Sequence, residues 1–342
     1  MRVNFRNLLT NVIVLLITTI IVLLVGEFIC HRFIGKKLAE YVEHQPAMLK
    51  PADNPELGYV MISNYEDSCY ETNSAGFRDQ EHSLEKPEGV KRIVMLGNSI
   101  GFGLWVCEFD SIFANLLEDE LNRREDGIVY ELINLCIPGY NSKMQLAMLK
   151  EVGVKYDPDL VITAFCINDF HQQPKLRQEG GNYIWRTGGR GTKASRSILN
   201  ESCLFTTVRS FYSSLLADKL DYSRMDYGNI VDAPRWQRML DVLTETDTYC
   251  EDYGCDYVVV IFPAGNQFGR FARGTAFQES LKSHFNSHDI AYIDLYDTFE
   301  QTGLGPKELF IWGVRDEHPT IFGNRISAEM TLEYLSNSDL LR

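Results

Sequence analysis

Arg92-Ile93-Val94-Met95-Leu96-Gly97-Asn98-Ser99-Ile100-Gly101-Phe102-Gly103 decides the reading of this chain. The apolar run Ile93–Leu96 has the length and composition of a buried parallel strand, which shows no alternation because both of its faces are covered. It stops at small residues, with one serine among three glycines. Glycines there permit a tight turn and a close approach of backbone amides to a ligand. A serine at the carboxyl end of a strand sits where open α/β sheets keep their chemistry. Ser99 is therefore the candidate nucleophile.

Downstream of this stretch, strands and helices alternate. A helical pattern over Ser111–Arg124 sets Ile112, Leu116, Leu117 and Leu121 on one side. The strand Val129–Cys136 ends in Pro138-Gly139, and a helix follows over Lys143–Val152. The strand Leu160–Ile167 ends in Asn168-Asp169. A helix over Trp236–Tyr249, a strand over Tyr257–Phe262, a helix over Ala276–Asn286 and a strand over Ile290–Leu295 continue the pattern. A loop carrying Asp316 and His318 leads to a last helix, Ile321–Leu335. Five strands alternating with helices predict a three-layer α/β/α domain around a five-stranded parallel sheet, flavodoxin-like in order.

The alternation breaks at about 171–231, an insertion with nine Lys/Arg against five Asp/Glu over 171–230 and a helical stretch at Ile198–Leu220. Long insertions near strand ends often cover active sites. His171, beside Asn168-Asp169, is within reach of the same edge. Upstream, 37–90 is polar and proline-bearing and reads as a juxtamembrane linker and entry segment. Within it Asn73–Asp79 forms a structured turn and Arg78 is a surface or packing residue. Residues 1–36 form an N-terminal anchor: Asn7–Gly26 carries no charge, and roughly twenty apolar residues at about 1.5 Å each span the ~30 Å hydrocarbon layer. No small-residue cleavage site of a signal peptide follows. Arg2 and Arg6 before the span balance Arg32, Lys36 and Lys37 after it, so charge does not orient it.

Composition narrows the function. An apolar share of 45% with 12% aromatic residues fits a globular domain. A net charge of −14 argues against a nucleic-acid partner. The eight cysteines include no CxxC pair and no cluster with metal-ligand spacing, so no metal and no cofactor is expected. Cys136 and Cys166 fall in apolar runs and behave as core residues; Cys250 and Cys255 are close enough in sequence to pair, which geometry must decide.

Strand carboxyl ends share one edge of a parallel sheet, so Ser99, Gly139, Asn168, Asp316 and His318 converge despite their separation. Acyl transfer needs a nucleophile, a base, an acid that orients the base and donors for the oxyanion. Ser99 is the nucleophile, His318 the base and Asp316 the acid. The amides of Ser99 and Gly139 and the side chain of Asn168 form the oxyanion hole. Gly97-Asn98-Ser99-Ile100-Gly101 also fits the G-x-S-x-G elbow of α/β-hydrolases. In that fold several strands precede the serine, whereas here it follows the first one.

Gly97-Asn98-Ser99, Gly139, Cys166-Ile167-Asn168-Asp169 and Asp316-Glu317-His318-Pro319 together resemble the four blocks of the SGNH, or GDSL-type, hydrolase family, over about Asn73–Leu335. The chain departs from the family pattern in three places. Asn98 replaces the aspartate before the serine, Cys166 replaces a glycine, and one residue instead of two separates Asp316 from His318. The resemblance implies a metal-free serine esterase acting on O-acyl esters, O-acetyl above all, of a carbohydrate or lipid. It further implies a bacterial inner-membrane, single-pass anchor with an extracytoplasmic domain. An O-acyltransferase of cell-envelope polysaccharide shares the acyl-serine chemistry, and a non-catalytic glycan-binding protein is the rival outside catalysis.

Overall fold

The computed structural model of the chain describes residues 5–33, 48–124, 126–171, 175–179, 182–186, 227–269 and 272–341. The stretch Ile198–Leu220, read as helical from sequence, and residues 34–47 lie outside them. The helix Phe5–Phe33 contains Thr10–Ile29, 20 residues of mean hydropathy 2.9 with the apolar side chains exposed. That length and composition are enough to cross a membrane. A separate α/β unit spans Met48–Thr187 and Asp226–Arg342.

The described strands are β1 (Leu49–Pro51), β2 (Tyr59–Met61), β3 (Val90–Gly97), β4 (Val129–Asn134), β5 (Leu160–Phe165), β6 (Lys175–Glu179), β7 (Asn182–Arg186), β8 (Asp256–Ile261) and β9 (Ala291–Asp294). Five of them form one parallel sheet in the order β4-β3-β5-β8-β9. Counted along the chain this is 2-1-3-4-5, the doubly wound order, with its crevice between β3 and β5. All six residues of the central strand β5 are buried. Helices Phe113–Asn122 and Ile321–Asn337 pack together, as do Ser142–Glu151 and Pro234–Tyr253. The strand runs are continuously apolar because no strand residue in the middle of the sheet meets water.

The entry segment differs from the expectation of a linker over 37–90. From Met48 onward it belongs to the α/β unit, and β1 and β2 join β7 and β6 in a four-stranded antiparallel sheet, order β2-β1-β7-β6. Strands of three residues are too short to show a period of two, and their partners β6 and β7 lie in the insertion more than a hundred positions on. β3 remains the first strand of the parallel sheet. Helix Tyr227–Val231 closes the far end of the insertion.

Two buried arginines fasten the entry segment to the sheet. Arg92 is fully buried; its Nε donates to Glu131 (2.7 Å) and its Nη groups to the carbonyls of Ser83, Leu84, Glu85 and Tyr156. Arg78, 1% exposed, is no surface residue. The Asn73 side chain accepts from the amides of Ala75 and Phe77, folding the turn that swings Arg78 inward. Its guanidinium lies about 5 Å from the rings of Tyr70 and Phe102 and donates to the carbonyls of Phe102 (3.1 Å), Gly103 (2.8 Å) and Val106 (2.7 Å). They lie at and just beyond the end of the Ser99–Phe102 helix, where the Gly103 carbonyl also accepts the Val106 amide (3.1 Å). Burial pulls the Arg78 pKa down to about 10, against the pull of Tyr70 and neighbouring carboxylates, so it stays charged at neutral pH.

The same loop is tied covalently. Cys69 and Cys107 form a disulfide, Cα atoms 4.5 Å apart. Cys250 and Cys255, the pair that sequence proximity suggested, are free and buried, as are Cys136 and Cys166. Spacing alone carried no sign of Cys69–Cys107, whose partners are brought together by the turn around Arg78.

Candidate active site

β3 delivers Ser99 into the crevice through a single helical turn, Ser99–Phe102. Asn98 caps it, its Oδ1 accepting from the Ile100 amide at 3.0 Å. The turn can sit this deep because residue 101 has no side chain: a Cβ there would stand 2.3 Å from Cys136 Sγ. Ser99 is 6% exposed.

The loop after β9 reaches the same point from the other side. The Gly265 amide donates to the carbonyl of Asp316 (2.7 Å), and the amide of Ile311 to that of His318 (3.0 Å). An isolated bridge pairs Phe310 with Pro319. These backbone bonds aim the two side chains. Ser99 Oγ lies 2.8 Å from His318 Nε2, and His318 Nδ1 lies 2.6 Å from Asp316 Oδ1. Asp316 Oδ2 accepts the Trp312 amide at 3.1 Å, leaving only Oδ1 for the imidazole. One intervening residue, Glu317, is thus enough for Asp316 to reach His318.

Gly139 and Asn168 come from the ends of β4 and β5. Gly139 has φ +80°, a left-handed conformation that favours glycine, and the Tyr59 hydroxyl holds the neighbouring Pro138 carbonyl at 2.8 Å. Among the described residues, the N–H groups of Ser99 and Gly139 donate to nothing. Asn168 sits in a 3-10 turn, Ile167–Phe170, with its Oδ1 accepting from Asn98 Nδ2 (2.7 Å) and Cys166 Sγ (2.9 Å). Its Nδ2 donates to Glu317 Oε1 at 2.9 Å. The side-chain amide expected to face an oxyanion therefore already holds a carboxylate oxygen.

Sequence reading gave no role to Glu317, nor to the network beneath Asn168. Asn98 Nδ2 also donates to Asp169 Oδ1 (2.7 Å) and Cys166 Sγ (3.0 Å), contacts that an aspartate at position 98 could not make. Two of the three departures from the family pattern, Asn98 and Cys166, are thus partners of each other and of Asn168. Asp169 is fully enclosed and accepts further from Gln145 Nε2 and the Cys166 amide. Burial pushes its carboxyl up to about 8 against those three hydrogen bonds.

His318 carries the opposing pulls of a buried base. Burial disfavours its charged form most strongly, but the hydrogen bond to Asp316 and the charges of Glu317 and Asp316 outweigh it and leave the pKa raised above 6.5. An imidazole that accepts the Ser99 proton must be neutral, so kcat/KM falls as pH drops through this raised value. Glu317→Gln keeps an oxygen for Asn168 and removes one of the charges that raise His318. The acid limb of the kcat/KM profile is expected to move to lower pH in this variant; a limb that stays or rises would show that Glu317 does not act on the imidazole.

A model of the GDSL-like lipase/acylhydrolase family matches residues 95–326, which run from the end of β3 into the last helix. Similar solved structures include an acetylxylan esterase from Geobacillus stearothermophilus, at 15% identity over 71% of this chain and 93% of that one, TM-score 0.43. Another is the psychrotrophic esterase EstA from a Pseudoalteromonas species, at 12% identity over 72% and 97%, TM-score 0.43. A comparison with curated protein sequences finds no match.

Proposed function

We propose, from the fact that the chain belongs to the GDSL-like lipase/acylhydrolase family, that it is a serine esterase removing O-acyl groups, O-acetyl above all, from a carbohydrate or lipid. The observation that carries the reading is the continuous hydrogen-bonded line from Ser99 Oγ through His318 to Asp316, set at the carboxyl edge of the sheet. In this reading Ser99 Oγ attacks the ester carbonyl while its proton passes to His318 Nε2. Asp316 holds the imidazole with its proton on Nδ1 and stabilises the imidazolium. The amides of Ser99 and Gly139 take the oxyanion, joined by Asn168 Nδ2 when the substrate oxygen displaces Glu317 from it. The imidazolium protonates the leaving alcohol, and a water activated by the same His318 releases the acid and restores Ser99.

The test is turnover of 4-nitrophenyl acetate, followed by product analysis on acetylated sugars. Free acetate with water alone supports the esterase. Transfer of acetyl to an added sugar would instead make the chain an O-acyltransferase, which passes through the same acyl-serine. No turnover and no acylation of Ser99 would leave a glycan-binding protein on a hydrolase fold.

We also propose 1–36 as a single-pass anchor of the inner membrane, with the α/β unit that starts at Met48 as the hydrolase domain outside the cytoplasm. The length and hydropathy of Thr10–Ile29 support the anchor, and the Cys69–Cys107 disulfide supports an oxidising compartment. A periplasmic reporter fused after Arg342 is expected to be active and a cytoplasmic one silent; the reverse would turn the topology around.

A further inference from the structure

Beside the crevice lies a cavity of about 310 Å³ that the proposed chemistry does not use. Its walls come from the starts of two helices that pack together, Ser142–Glu151 and Pro234–Tyr253, and from the turn after β5. Asn141 is two residues past Gly139, and Asp169 follows Asn168, so the cavity borders the side of the site assigned to the oxyanion.

The lining is basic in an acidic protein. Lys143 lies on one wall; Arg235 and Arg238 lie on the other, one helical turn apart on a single face. Lys143 has a loose, exposed partner in Glu56 (3.7 Å), whereas Arg235 and Arg238 form no ion pair among the described residues. Among the described residues the one carboxyl in the lining is Asp169, which is buried and whose charged form that burial disfavours. An independent sign is Ser142: it lines the cavity, is 3% exposed, and its Oγ has no hydrogen-bond partner. A buried hydroxyl without a partner is rare in a folded protein and calls for one.

We propose that this cavity binds an anionic group, a carboxylate or a phosphate, carried by the alcohol portion of the ester substrate. The proposal rests on the esterase reading and narrows it to acidic carbohydrate. Arg235, Arg238 and Lys143 supply the charge, and Ser142 in the wall has a hydroxyl free to donate. An acetyl group carries no charge for these residues to meet, so the occupant belongs to the sugar side of the ester bond.

The test uses the full chain and the double variant Arg235→Ala/Arg238→Ala, both side chains being exposed. Three substrates are compared at low salt: acetylated oligogalacturonate, an acetylated oligosaccharide bearing phosphate, and 4-nitrophenyl acetate as the uncharged reference. For at least one charged substrate, the ratio of its kcat/KM to that of the reference is expected to fall about tenfold or more in the variant, chiefly through KM. The charged substrate affected identifies carboxylate or phosphate as the ligand group. The loss should shrink as salt rises, since exposed charges are screened. Ratios unchanged for both charged substrates would overturn the proposal while leaving the esterase intact. Should 4-nitrophenyl acetate itself not be turned over, the esterase reading fails first. Calorimetric titration with unacetylated oligogalacturonate and with inorganic phosphate still reads the cavity: an affinity about tenfold weaker in the variant supports it, and equal affinity sinks it.

Discussion

Ser99→Ala is expected to lower kcat on 4-nitrophenyl acetate about 10⁶-fold, the loss typical of deleting the serine of an interdependent triad. The substitution removes one oxygen from a side chain that is 6% exposed and leaves the local fold in place. The helical turn at Ser99 is capped by Asn98, not by Ser99 itself, and Gly103 closes it, its N–H donating a hydrogen bond to the Ile100 carbonyl (2.9 Å). Arg78 still holds the carbonyls beyond it. The unfolding temperature should therefore match that of the parent while turnover disappears. His318 Nε2, which meets Ser99 Oγ at 2.8 Å, would face only solvent or substrate. Residual rate over water would come from the amides of residue 99 and Gly139, which the variant keeps. Parallel kinetics and thermal melts decide the matter: unchanged turnover would place the nucleophile elsewhere in the crevice.

The fold was legible because a buried parallel sheet writes itself into sequence as uninterrupted apolar runs. Ile93–Leu96 and Leu160–Phe165 could be read without any partner, and the small or polar residues after them marked the catalytic edge. What escaped depends on tertiary pairing. β1 and β2, three residues each, acquire meaning only beside β7. Sequence left Arg78 open between a surface and a packing residue because its partners are backbone carbonyls more than twenty residues on, and carbonyls leave no trace in composition. Cys69 and Cys107 carry no spacing signature either. Glu317 was visible but had no assigned role: a residue between Asp316 and His318 was counted as a spacer, although its carboxylate turns toward Asn168 while its neighbours turn toward Ser99. The Asn98 substitution became intelligible only with the structure, since its amide meets three acceptors that come from the end of β5.

Asp316→Asn is expected to cost about 10⁴-fold in kcat with the fold retained, as loss of the orienting acid does where the geometry survives but the tautomer changes. The hydrogen bonds on the second oxygen dictate this. Trp312 N–H donates to Asp316 Oδ2, so an asparagine would keep its oxygen there and turn its NH2 toward His318 Nδ1. Nδ1 would then have to accept, which moves the imidazole proton to Nε2. In that tautomer the ring donates toward Ser99 Oγ and cannot take its proton. The charge that helps to hold His318 above 6.5 is lost as well. A carboxylate one position on offers the natural control, because Glu317 also acts on the imidazole through its charge yet bonds to Asn168. Glu317→Gln should therefore keep most of its turnover and shift only the acid limb. If rate assays at the pH optimum reversed that order, with Glu317→Gln inactive and Asp316→Asn near normal, the orienting acid would be residue 317. The short spacing between Asp316 and His318 would then be a packing feature of the loop.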